Sequence, residues 1–153
     1  MKNGTLPTRI MHDLRRSNDK VVASGSLVGR YGSNSTVSRA LRKLVEAQQL
    51  EPVDRGLYRV LPNEDARLAF DRAWSNPGAD FDPDKRIAVT LARPTFRDVV
   101  RLCRSYGVRR VRRVLNTLEE RHDIPAPMAS DWRHRLDNIE RGFRDAAHRL
   151  VAT

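Results

Sequence analysis

The chain is poor in cysteine, poor in clustered histidine and short of acid for its base. Cys103 is its only cysteine, so it can form no intramolecular disulfide, and a thiolate zinc site is not expected. The four histidines (His12, His122, His134 and His148) are scattered, with none of the spacing of metal-ligand pairs. No metal or cofactor is expected. No apolar run approaches the roughly 18 residues needed to span a bilayer. Met1-Lys2-Asn3-Gly4-Thr5-Leu6-Pro7 lacks the apolar core of a secretory leader. These absences lead to the expectation of a reduced, cytoplasmic protein that does not enter a membrane. There is no internal repeat and no low-complexity tract.

The shortage of acid is the informative deficit. Against 29 Lys and Arg stand 19 Asp and Glu, a net charge of +10 in 153 residues, and the sequence pI is about 10.9. Arginine carries nearly all of the positive charge, and its planar fork suits phosphate and carboxylate. The partner field is therefore anionic, with nucleic acid the first candidate and an acidic protein surface the second.

What is present is concentrated in Gly32-Ser33-Asn34-Ser35-Thr36-Val37-Ser38-Arg39-Ala40-Leu41-Arg42-Lys43-Leu44-Val45. Val37, Ala40, Leu41, Leu44 and Val45 follow i, i+3, i+4, i+7, i+8, which predicts a helix burying one face. Ser35, Thr36, Ser38, Arg39, Arg42 and Lys43 fall on the other face. Short hydroxyls beside phosphates and long cations able to fork onto guanine make this a candidate DNA-recognition helix. The plain alternative is an amphipathic helix with a solvated basic face.

The flanks fit a winged helix-turn-helix. Residues 6–17 predict a first helix through Ile10, Met11 and Leu14, and Val21-Val22-Ala23 a short strand. A second helix is expected from Leu27 to Tyr31, stopped by Gly32, and the recognition helix is expected to end near Gln48-Gln49. Leu50 to Leu61 then reads as a β-hairpin around a three-residue turn, Asp54-Arg55-Gly56, in the position of a wing. In this arrangement Asn34, Ser35 and Thr36 cap the helix at the phosphates. Ser38, Arg39, Arg42 and Lys43 face the groove, with Arg39 the first choice for base readout, and Arg55 and Arg59 act through the wing. For Arg59, simple solubility of the wing is an equal alternative.

Downstream, Glu64 to Trp74 predicts a short helix, and residues 75–81, with Ser75-Asn76-Pro77-Gly78 at their start, a linker. The expected division is a DNA-binding domain at 1–74 and a helical partner-binding or neutralisation domain at 82–153. Asp82-Pro83 starts a helix that runs to about Ala92. Pro94-Thr95 opens another, with Phe96, Val99, Val100 and Cys103 inward and Gly107 closing it. Val108, Val111, Leu115 and Leu118 line the next, whose other face carries Arg109, Arg110, Arg112 and Arg113. Those four arginines are either a solvated face or a contact for an acidic partner or DNA. A last helix, Met128 to Val151, aligns Trp132, Leu136, Ile139, Phe143, Ala146 and Leu150 in a heptad-like seam. That seam is expected to pack against the chain's own helices or, alternatively, to offer a partner surface such as a homodimer contact. The overall fold class is mainly α with a small β-wing, a winged helix-turn-helix followed by a helical bundle.

Ser-Thr-Val-Ser-Arg-Ala-Leu at 35–41, the wing Arg55-Gly56-Leu57-Tyr58-Arg59 and the helical second domain together resemble the antitoxins of the AbiE (abortive infection) type. The resemblance covers about residues 5–62. Leu91-Ala92-Arg93-Pro94-Thr95-Phe96 and Asn138-Ile139-Glu140-Arg141-Gly142-Phe143 are also similar to segments of such proteins. It implies a type IV toxin–antitoxin pair with a nucleotidyltransferase-like toxin as partner. This chain would repress the shared promoter through double-stranded DNA and antagonise the toxin with its C-terminal region. Of the wing residues carried over, Arg55, Gly56, Leu57 and Tyr58, only Arg55 is expected at DNA. A winged-helix regulator without a toxin, its helical domain serving dimerisation, is the alternative. An enzyme is not expected: Cys103 falls on a buried face, the histidines lack a nucleophile or metal beside them, and Glu119-Glu120 diverge on a helix.

Overall fold

In the computed structural model, residues 4–69 and 82–152 are described. They form six helices and a three-stranded antiparallel sheet. The helices are α1 (Leu6–Arg16), α2 (Asn34–Glu46), α3 (Pro83–Ala92), α4 (Phe96–Tyr106), α5 (Val108–Glu120) and α6 (Ala126–Val151). The strands are β1 (Val21–Ala23), β2 (Leu50–Asp54) and β3 (Leu57–Val60), ordered β1-β3-β2. No helix among the described residues is long and apolar enough to cross a membrane. The chain divides into two compact units, Met1–Leu61 with Gly142–Thr153, and Pro62–Arg141.

The first unit is organised by the faces that α1 and α2 bury. Ile10, Met11 and Leu14 of α1 join Val37, Ala40, Leu41 and Leu44 of α2 in one cluster with Val22, Leu27 and Leu50. Full burial of a Leu such as Leu41 contributes about 1.5–3 kcal/mol, and this cluster sets the outer face of α2. Pro52, which has no N–H to donate, lies on the edge strand β2, where a ladder tolerates it. The hairpin turn is two residues, Arg55-Gly56, rather than three. Pairing passes from Pro52↔Tyr58 to Asp54↔Leu57, leaving Val53 as a bulge. Gly56 sits at φ +68°, and a Cβ there would come 3.0 Å from Ser24 Oγ, so the turn favours glycine.

The expected second helix does not form. Ser24–Ser26 is a single 3-10 turn, and residues 27–32 continue as irregular turns. Gly29 at φ +87° takes the chain out of helical space, and its N–H donates to the Gly32 carbonyl at 2.8 Å. Gly32 predicts a stop, but Gly29 already interrupts the segment before a helix can propagate. Helix α2 ends at Glu46, and Gln48 follows at φ +60°.

In the second unit, α3, α4 and α5 pack pairwise around Ile87, Leu91, Val99, Leu102, Val111 and Leu115. Asp82 caps α3 by accepting the Lys85 N–H, with Pro83 at the first helical position, and Gly107 at φ +95° closes α4. Cys103 is buried. Phe96, expected inward, is exposed, because it opens α4 directly after the Thr95 cap; Leu102 takes a core place instead. Residues 64–69 are not helical. Their backbone is tied down by side chains: the Ala66 N–H donates to Tyr106 Oη and the Ala69 N–H to Asp98 Oδ1, at 3.2 and 2.7 Å. Burial raises the Tyr106 pKa, with the hydrogen bond to Asp65 acting in the same direction. Residues 70–74 of the expected helix and the linker 75–81 lie outside the described residues.

The last helix departs from its expected seam. Trp132, Leu136 and Ile139 are buried, but toward the C-terminus Ala147 is buried instead of Ala146, and Leu150 is exposed. A straight helix drifts off a strict seven-residue repeat, and the buried line follows 3.6 residues per turn. Residues 142–151, assigned by sequence to the helical domain, group with the first unit, where Ala147 packs with Val53 and Leu57 of the hairpin. The surface this stretch covers is therefore a sheet, where a helix was expected.

Candidate nucleic-acid interface

Helix α2 presents the face that its periodicity predicts. Asn34, Ser35, Ser38, Arg39, Arg42 and Lys43 are exposed and Thr36 is half-buried. No ion pair engages Arg39, Arg42 or Lys43 among the described residues. Arg39 Nε reaches back only to the Ser35 carbonyl, at 3.5 Å. The N-cap is Ser33, whose hydroxyl accepts the Thr36 N–H, so Asn34, Ser35 and Thr36 form the first turn rather than the cap. Ser33 Oγ also lies 3.0 Å from Thr36 Oγ1 and 3.2 Å from Ser35 Oγ. The result is a hydroxyl-lined, unblocked helix N-terminus continuous with a cationic strip, an arrangement able to hold phosphate oxygens while longer side chains reach beyond.

The hairpin supplies one exposed cation and withdraws another. Arg55 is exposed at the turn, its N–H donating to Asp54 Oδ1 at 2.8 Å. The Ser24 N–H donates to the Gly56 carbonyl at 2.8 Å, tying the turn to the 3-10 segment. Arg59 is not available to a ligand. It is 9% exposed, paired with Glu51 at 2.9 Å, and its guanidinium stacks 4.3 Å from the centroid of the Phe143 ring. Both sequence readings of Arg59, DNA contact and wing solubility, are corrected by this burial. The signal was in the strand: Leu57 and Arg59 share a face by alternation, and Glu51 is directly opposite Arg59 in the register.

The last turns of α6 fasten this hairpin. Arg144 Nε donates to the Val53 carbonyl at 3.0 Å, and His148 Nε2 lies 2.7 Å from Asp54 Oδ2. The His148 contact, followed by the Arg55 N–H, lowers the Asp54 pKa below the usual carboxylate value. The bulged strand beside Arg55 is thus held by two residues that sequence reasoning did not single out for it, Arg144 and His148, while Phe143 covers Arg59.

A second group missed by sequence joins α1 to the turn before α2. The Tyr31 hydroxyl donates to Asp13 Oδ2, and Arg30 approaches the same carboxylate at 3.9 Å. The Tyr31 bond holds the Asp13 pKa below its ordinary value, while burial followed by that bond raises Tyr31.

The arginines of α5 lie otherwise. Arg110 Nε bonds Asp84 Oδ1 of α3 at 2.7 Å. Arg112 spans Asp137 and Glu140 of α6 at 2.9 and 3.1 Å. Arg109 and Arg113 are exposed. Two of the four expected partner-binding residues are thus engaged by acids of their own unit.

Compared with family models, with curated proteins and with solved structures, the chain matches none.

Proposed function

We propose that the chain is a sequence-specific double-stranded DNA-binding protein that acts at its own promoter, with α2 as the reading element and the β2–β3 hairpin as a wing. The observation that carries this is the outer face of α2: Ser35, Ser38, Arg39, Arg42 and Lys43 together in solvent behind a hydroxyl-rich N-terminus. Arg39 and Arg42 are the base-reading candidates, since a bidentate guanine contact is worth about 1–3 kcal/mol of discrimination. The first-turn residues and Arg55 contact phosphate. The antagonism of a nucleotidyltransferase-like toxin rests on the family resemblance alone, which ties it to the C-terminal region. The internal engagement of Arg110 and Arg112 leaves fewer cations for an acidic partner, which favours the second reading, a winged-helix regulator without a toxin whose helical domain serves dimerisation.

A salt-titrated binding assay tests the proposal, comparing duplex DNA from upstream of the protein's own coding region with unrelated duplex of equal length. Preference for the upstream duplex that persists at physiological salt is expected. Equal binding to both that vanishes with salt would reduce the basic surface to non-specific attraction.

A further inference from the structure

We propose that Arg9 of α1 and Arg30 of the turn before α2 form a phosphate clamp that seats α2 on the DNA backbone, with Tyr31 positioning Arg30 and the Asp13 carboxylate competing with phosphate for the cations. The inference rests on the DNA-binding reading of α2 and adds to it a site on different elements.

On α1, Arg9, Asp13 and Arg16 recur at spacings of four and three, so they line one face with His12 beside them. Arg9, His12 and Arg16 are exposed. Asp13 and Arg16 line an open groove of about 730 Å³ together with Arg30 and Tyr31. Arg30, with 69% of its side chain exposed, stacks 5.1 Å from the centroid of the Tyr31 ring. That stack restricts the long side chain while leaving its guanidinium open to solvent. The separation of 3.9 Å from Asp13 is at the limit of an ion pair, and the carboxylate oxygen that faces Arg30 already accepts the Tyr31 hydroxyl. One carboxylate therefore faces Arg9, His12 and Arg30, all close enough to depress its pKa by their charge. Asp19, the other acid of the groove, accepts Ser17 Oγ at 2.7 Å, and Lys20 beside it is exposed. A local excess of cation remains.

The position matters as much as the charge. Tyr31 fixes the turn to α1, and Arg30 precedes the Ser33 cap by three residues, at most about 11 Å of chain. Phosphates along one strand recur every ~3.4 Å of axis. A backbone bound at the N-terminus of α2 thus continues within about three phosphates of Arg30. Contacts of this kind fix register without reading sequence.

The test measures binding of the full-length chain to its upstream duplex and to unrelated duplex over a range of salt, for wild type, R9A/R30A and D13N. Removing two phosphate contacts should flatten the slope of log K against log salt by about 1.8, at 0.9 per phosphate, equally on both duplexes and with their affinity ratio unchanged. D13N removes the competing negative charge and should tighten binding several-fold on both duplexes, which a merely structural Asp13 would not do. A wild-type slope in R9A/R30A, or unchanged or weaker binding by D13N with a retained melting temperature, would overturn the clamp and leave the α2 reading standing. Absence of salt-dependent DNA binding in the wild type would overturn both.

Discussion

On α2, Arg39, Arg42 and Lys43 stand in solvent with no ion pair among the described residues. On α5, Arg110 and Arg112 are held by Asp84, Asp137 and Glu140. Both helices carry basic residues on one face and apolar residues on the other, and local sequence does not distinguish them. The difference comes from what lies opposite. The chain of the first unit has thirteen Lys and Arg against six Asp and Glu, that of the second sixteen against thirteen. Where acids are nearly as numerous as bases, an arginine more readily finds a partner within its own unit; where they are scarce, more of the charge faces outward. Arg59 is a third case, an arginine of the basic unit drawn inward by a cross-strand glutamate and an aromatic ring.

The largest effect should separate the buried arginine from the exposed ones. Glu51→Ala leaves the Arg59 guanidinium without its carboxylate under the sheet, and losing one member of a buried pair costs about 3–5 kcal/mol. Urea denaturation should show a lowered midpoint of that order. A loss below about 1 kcal/mol would place the pair in the weak class of surface contacts and undo the distinction for Arg59.

The middle of the range compares α5 with α2 directly. Arg112→Ala removes two partly exposed ion pairs and should cost about 1 kcal/mol, shrinking with added salt. Arg42→Ala should change stability by less than about 0.5 kcal/mol and instead weaken binding to the upstream duplex. If Arg42→Ala destabilised the chain as much as Arg112→Ala did, or spared DNA binding, the two helices would not differ in the way their ion pairs indicate.

How far the sequence was legible follows from the range of the interactions. The buried face of helix α2, the Asp82 cap and the Gly107 stop are local, set by periodicity and by residues within four positions of each other, and they stand where the pattern puts them. The helix expected at 27–31 was a local misreading, since Gly29 outweighs the apolar and helix-forming residues around it. The fates of Arg110, Arg112 and Arg59 are of another kind. Their partners lie 26, 25 and 28, and 8 residues away, and no propensity encodes such pairings. The Glu51–Arg59 match becomes readable only once strand register is known. That the end of α6 would settle on the hairpin was invisible, because an apolar line through Phe143 and the alanines at 146 and 147 suits a sheet as well as it suits a helix.

The smallest effect concerns how the hairpin is held beside Arg55. Asp54 has its pKa lowered by the His148 contact and the Arg55 N–H, and Asp13 has its own lowered by Tyr31. A carboxylate with a depressed folded pKa contributes stability that is present above its unfolded value, near 3.8, and is lost as pH falls through the folded one. Asp54 is exposed and Asp13 half-buried at the surface, so the contribution is small and its direction is the testable part. Urea midpoints measured from neutral pH downward should fall through the acid range more steeply in wild type than in Asp54→Asn, whose amide keeps the shape but cannot ionise. The two should differ most above pH 4 and converge below it. His148→Ala should reproduce part of the flattening, since it removes the first of the two causes. Identical acid profiles for wild type and Asp54→Asn would mean that the carboxylate does not fasten the hairpin. The hairpin beside Arg55 would then be held by Arg144, the Ala147 packing and the Ser24–Gly56 backbone bond.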